Sequence, residues 1–258
     1  MPLMKNFSRC RNPRTSSLLQ LAVLGASALV SPLTAASPGP FAGRWAMRQI
    51  TTTVAEVPVI GKVFATTTSV SLHKLKHKGE RLRGRGRICR VALDSGSALV
   101  KTVMPRALLE VLPAPRIDAK LRDEGGRWSF SQARQTIVLG AKLDNPLTDP
   151  LPRLIGDAHV FDQDGDGHPA VTIRVSGIVS GDIRVVQRSW TELVGERVTH
   201  DRIDGSIRFG NEQVILDATS SMLKSPPPAV PELSRSRFTL VRLPDGATCG
   251  DALRATGD

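Results

Sequence analysis

The sequence predicts a mainly β protein: an antiparallel β-barrel or barrel-like domain with one short helix. Three observations carry this. Short runs in which β-branched and polar residues alternate recur from residue 45 onward. Between them stand tight-turn signals such as Lys78-Gly79-Glu80, Asp94-Ser95-Gly96, Glu124-Gly125-Gly126, Ser180-Gly181-Asp182, Asp204-Gly205 and Gly210-Asn211. Only one stretch has convincing helical spacing. Many short strands joined by tight turns suit a barrel or sandwich rather than alternating β and α units.

Taken in order, the chain opens on a different composition. Lys5, Arg9, Arg11 and Arg14 precede an apolar stretch over residues 18–30, and Thr34-Ala35-Ala36 offers the small residues that signal peptidase requires. Residues 1–36 are therefore expected to be a signal peptide cleaved after Ala36, and residues 37–258 a single β-barrel-like domain. The apolar run is short for a span of about 20 residues, and no later segment is long and uncharged enough to be one. The mature chain is expected to be secreted or periplasmic, with no transmembrane segment.

Four of the 35 Lys and Arg and none of the 24 Asp and Glu precede residue 37, so the remainder carries 31 bases against 24 acids, net +7. Cys10 leaves with the signal; Cys89 and Cys249 remain, and two cysteines in an exported chain most simply form one disulfide. In the chain-entropy picture a loop of that length is worth about 4–5 kcal/mol.

Gly43-Arg44-Trp45 begins the first strand. Alternating runs follow at 63–75 and 82–93. Within the second, Arg81, Arg83, Arg85 and Arg87 alternate with Leu82, Gly84, Gly86 and Ile88, so one strand face carries four guanidiniums. Lys74, Lys76 and Lys78 precede them and are expected on the same patch, able to hold an anionic polymer or to act as a solvated outer face that discourages edge pairing. Nucleic acid is not expected: the chain has no Tyr and offers no aromatics interleaved with the bases.

Residues 105–112, PRALLEVL, place Pro at a first helical position and Leu108, Leu109 and Leu112 at helical spacing, a two-turn helix. A strand is expected at 136–143, overlapping a proline-rich loop at 142–154. Further strands are expected at 171–178, 183–193, 198–209, 213–218 and 237–243, and an extended proline-rich connection at 225–233.

The loop FDQDGDGHPAVTIRV carries the clearest chemistry. Asp162, Asp164, Asp166 and Gly167 occupy positions 1, 3, 5 and 6 of a calcium loop, in which carboxylates alternate and glycine permits the turn that gathers them. Position 9 is Ala170 and position 12 is Ile173, where an EF-hand has its bidentate glutamate, and β-type residues replace the exiting helix. Calcium is thus expected as a structural ion. The missing oxygens would come from a carbonyl, at His168, from water, or from Asp149, Asp157, Asp201 or Asp204.

This loop, the following VSGDIRVVQRSW, the VPVIG at 57–61 and the terminal FTLVRLPDGATC together resemble a group of uncharacterised secreted bacterial proteins with a D-x-D-G-D-G-x-P loop. The resemblance brings no activity with it, and Ala170 departs from the glycine that relatives tend to have there. Gly43-Arg44-Trp45 resembles the opening of lipocalins. That likeness implies a barrel closed at one end by the Trp, an arginine packed on it (Arg237 or Arg242), and a cavity for a small apolar or amphipathic ligand.

No catalytic constellation is marked out: H-E-x-x-H, G-x-S-x-G and paired-cysteine metal spacing are all absent. The chain is read as a non-enzymatic binding protein for a small apolar or amphipathic ligand. The alternatives are an envelope or cell-surface module that binds an anionic polymer through the basic strand, and an enzyme of unidentified type.

Overall fold

Alternation over long stretches gives long strands. The computed structural model describes residues 39–57, 61–97 and 100–258, so the expected signal peptide and residues 58–60 of the VPVIG segment lie outside the described residues. In order, the elements are β1 (Gly43–Val57), β2 (Gly61–Lys78), β3 (Arg81–Asp94), β4 (Val100–Val103), α1 (Arg106–Val111), β5 (Arg116–Asp123) and β6 (Trp128–Leu139). There follow β7 (Val171–Gly177), β8 (Gly181–Val198), β9 (Arg202–Ala218), β10 (Ala229–Pro231), β11 (Arg237–Leu243) and α2 (Cys249–Thr256).

All strand pairs are antiparallel. The order β8-β6-β5-β3-β2-β1-β11-β9 closes because β9 also pairs with β8, which makes an eight-stranded ring. Closure removes the sheet edges that an open β protein must protect. One edge of β8 is shared: residues 187–194 pair with β6, while 181–185 pair with β7. β7 in turn pairs with β4, so the two form an annex built on the extended ends of β8 and β9.

One end of the ring is filled. Trp45 and Met47 on β1, Leu75 on β2, Leu82 on β3, Ile117 and Leu121 on β5, Phe130 on β6, Leu193 on β8, Ile203 and Ile207 on β9, and Phe238 and Leu240 on β11 form one buried cluster. Gly43-Arg44-Trp45 opens β1. Trp45 donates its indole N–H to the Phe41 carbonyl at 3.0 Å. Of the two candidate arginines it is Arg242 whose guanidinium lies 4.9 Å from the Trp45 ring centre. Arg242 also donates to the carbonyls of Ala42 (2.7 Å), His200 (2.8 Å) and Pro40, whereas Arg237 is exposed.

The Arg-Gly alternation of β3 has a steric cause. A Cβ on Gly84 would fall 2.1 Å from the Lys74 carbonyl oxygen, and one on Gly86 2.6 Å from the His73 ring. The glycines give up their side chains to Leu75 and His73, and the arginines between them point outward. Where β2 and β3 slip register between Val70 and Ser71, the bulge leaves Cys89 without a partner across the ladder. Cys89 instead meets Cys249 of α2 in the expected disulfide, with Cα atoms 5.3 Å apart. α2 covers Ala46, Val70, Leu72 and Leu243 on the outside of the ring.

The mainly β, barrel-like expectation holds, with α1 where PRALLEVL placed it. Three details differ. α2 is a second helix, begun by a capping box in which Thr248 and Asp251 satisfy each other's backbone amides. The two expected strands at 198–209 and 213–218 are one, β9, running straight through Asp204-Gly205 and Gly210-Asn211. Those glycines are packing devices: a Cβ on Gly210 would lie 2.4 Å from the Trp190 indole nitrogen, and one on Gly205 2.7 Å from the Phe238 ring. β5 and the first half of β6 also fall outside the expected strands, in a stretch that the Asp, Arg and Glu residues make look like loop.

Candidate functional site: an aspartate loop and a basic face

The aspartate loop lies where the chain leaves the ring at the end of β6 and enters the annex at β7. It folds back on the strand it left. Ala141 bridges Val160 and Asp162 bridges Ala170, while the Gln163 side chain accepts the Gly140 amide at 2.7 Å. Gly165 and Gly167 take φ of 69° and 86°, which glycine adopts without strain. Ala170 stands at φ 74° and is fully buried, an unusual left-handed alanine directly before β7.

The structure brings Asp162, Asp164 and Asp166 together, with a carboxylate oxygen of each within 4.8 Å of the others. Asp162 organises the turn, accepting the amides of Gly165 (2.7 Å), Gly167 (2.9 Å) and Asp166 (3.3 Å). Partial desolvation opposes its ionisation, but the amides outweigh it and hold its carboxyl below the usual range. Asp166 accepts the His168 amide at 2.8 Å.

Asp164 differs from its neighbours. It is 7% exposed, one of its oxygens accepts the Thr172 amide at 3.0 Å, and the other is buried with no hydrogen-bond partner. Burial, abetted by the charges of Asp166 and Asp162 and opposed by the Thr172 amide, raises its carboxyl above the ordinary value. Three carboxylates so placed, one of them inside the protein with a free oxygen, are a group that could hold a cation.

None of the four other acids expected as ligands joins the cluster. Asp157 holds both the amide and the ring of His159, each at 2.9 Å, and through that hydrogen bond raises the His159 ring above its usual value. Asp149 accepts the Asn145 amide. Asp201 pairs with Arg242, and Asp204 with Arg202 and Thr239, beside the filled end of the ring.

Arg81, Arg83, Arg85 and Arg87 of β3 are all exposed, and the pairing register shows what surrounds them. Across β2 and β3, Lys74 faces Arg85, Lys76 faces Arg83 and Lys78 faces Arg81. Across β3 and β5, Arg85 faces Arg116 and Arg81 faces Lys120. Like charges directly opposite one another cost on the order of a few tenths to 1 kcal/mol per pair. Relief is sparse: Asp118 lies within salt-bridge distance of Arg83 (2.9 Å) and Arg81 (3.4 Å), and Glu80 within that of Arg122 (3.4 Å). The sequence could not show that β5 would lie beside β3 and extend this face.

For a ligand inside the barrel, the filled end leaves no chamber around Trp45. On β1 the same face continues as Gln49, Thr51 and Thr53, opposite Ser69, Thr67 and Ala65 of β2, so the lining beyond Met47 is largely polar. No protein-family model matches the chain, and no curated protein matches it.

Proposed function

We propose that this is an extracytoplasmic β-barrel protein that binds calcium at Asp162, Asp164 and Asp166, where the ion acts as a structural clamp on the crossing from ring to annex. The observation that carries the reading is the buried, unpartnered oxygen of Asp164, set between two further carboxylates. Without a cation this arrangement gathers negative charge around a desolvated acid; with one, repulsion becomes coordination. The disulfide supports the compartment, since such bonds persist in oxidising surroundings where calcium is also abundant.

Three carboxylates without a bidentate glutamate fit weak affinity, on the order of 10⁻⁴–10⁻³ M. At tenfold excess over the dissociation constant, binding stabilises the folded protein by about 1.4 kcal/mol. Calorimetric unfolding with chelator and with millimolar calcium tests this. The expected result is a melting temperature raised by calcium in the wild type and not in Asp164→Asn; an equal melting temperature with and without calcium in the wild type would refute the proposal. The small-ligand reading is weaker on this geometry, because the apolar part of the interior is occupied by the protein's own side chains.

A further inference from the structure

We infer that the outer face of β2, β3 and β5 is a docking surface for a linear acidic polysaccharide carrying closely spaced sulfate or phosphate groups. The face bears ten bases, Lys74, Lys76 and Lys78 of β2, Arg81, Arg83, Arg85 and Arg87 of β3, and Arg116, Lys120 and Arg122 of β5, against two acids, Glu80 and Asp118. Its net charge is +8. The other 21 bases and 22 acids of residues 37–258 nearly cancel. The positive charge is therefore not a general property of the surface but a local one.

Two ordinary explanations do not account for it. Charged strands often guard a sheet edge, but β3 is flanked by β2 and β5 over residues 81–85, so Arg81, Arg83 and Arg85 have no edge to guard. Charged faces also aid solubility, yet mixed charges would serve that end without setting five like-charged pairs directly opposite each other. Among the described residues, Arg85, Arg87, Arg116 and the three lysines have no carboxylate within salt-bridge distance, so their charges are available to a partner.

The shape of the array selects the occupant. Alternate residues along a strand lie roughly 7 Å apart and neighbouring strands about 4.8 Å apart, so the arginines of β3 form a row of about 20 Å with a row of bases on either side. An extended polyanion follows such a stripe, and arginine binds oxyanions in bidentate fashion. The outward positions between Lys74 and Lys78, and between Arg81 and Arg87, carry no apolar side chain that could enter a bilayer, and no aromatic on which a base could stack. In the oxidising compartment that the disulfide indicates, acidic polysaccharide is the polymer of matching chemistry.

Heparin is a suitable probe, with binding followed by isothermal calorimetry across a salt series. We expect tight binding at low salt that weakens steeply toward physiological salt. The variant Arg85→Thr/Arg87→Thr/Arg116→Thr should bind at least about tenfold more weakly and lower the slope of log Kd against log salt by about two to three. Its melting temperature should be unchanged or higher, because repulsion is relieved; should it fall, Arg85→Thr alone replaces it, with a smaller loss of the same sign. The variant Lys101→Thr/Arg153→Thr/Lys224→Thr, which removes equal charge elsewhere, should change affinity by less than about twofold. Equal weakening in both variants, binding indifferent to salt, no heparin binding at low salt, or tighter binding to phosphatidylglycerol vesicles than to heparin would each overturn the inference.

Discussion

His73 makes the stability of the ring depend on pH. The ring is 1% exposed on β2, opposite Trp45 of β1 and Gly86 of β3. One nitrogen, Nε2, lies 2.8 Å from the Ser71 hydroxyl; the other, Nδ1, is buried without a partner. Burial lowers its pKa from 6.5 to about 4. An unfolded chain takes up the proton near pH 6.5 and the folded one only near 4, so between these values the unfolded state binds more protons and stability falls as pH falls. The interval is worth about 3 kcal/mol at roughly 1.4 kcal/mol per pH unit, complete once the pH is below both values. Urea unfolding of the wild type and of His73→Gln, from about pH 7.5 down to about pH 4, isolates the contribution, since His77, also lowered mainly by burial, is present in both. The wild type should lose about 3 kcal/mol more than the variant across that range. Equal losses would refute the argument and mean that the folded protein hydrates the His73 ring.

Two further predictions concern the frame. Gly86→Ala places a methyl 2.6 Å from the His73 ring, and should cost about 1–3 kcal/mol in urea unfolding; a change below about 0.5 kcal/mol would mean the strand shifts freely. The double variant Cys89→Ser/Cys249→Ser opens a loop of 160 residues and should lose up to about 4–5 kcal/mol. Thermal unfolding should show the wild type with reductant falling to the level of the double variant, and an undiminished melting temperature in both would contradict this.

The fold was readable where one face of a strand is apolar and the other polar. β2, β3 and β11 follow their alternation almost to the residue. It was hidden where glycine serves packing rather than turning, as at Gly205 and Gly210, because the same residue type marks both uses and only the partner across the sheet, Phe238 or Trp190, separates them. β5, RIDAKLRD, alternates perfectly, with Ile117, Ala119 and Leu121 buried, yet its outward residues are so charged that it reads as loop. The aspartate loop was visible because its carboxylate spacing is local in sequence. The basic face was only half visible, since adjacency of β3 and β5 depends on pairings that sequence order alone does not fix. α2 went unread because its segment is short of helical periodicity; the signal it does carry is T-x-x-D at Thr248 and Asp251, a capping pair.

The two proposed sites fall on different parts of the ring, and this bears on how each should respond to change in the other. The aspartate loop is anchored to the end of β6, to β7 and, through β7, to the annex ends of β8 and β9. The basic face belongs to β2, β3 and β5, with β3 stapled to α2 by the disulfide. β6 touches both neighbourhoods, and so does β4, which pairs with β7 and also contacts β3. β6 meets β5 through residues 128–132 and β8 through residues 131–139, with a register shift in the β8 pairing between Gln132 and Gln135. That irregularity interrupts the ladder between the half of β6 that supports the basic face and the half that leads into the loop. Along β6, ordering at Asp164 meets that interruption before it reaches the strands beside Arg85, so coupling between the loop and the face by this route should be weak.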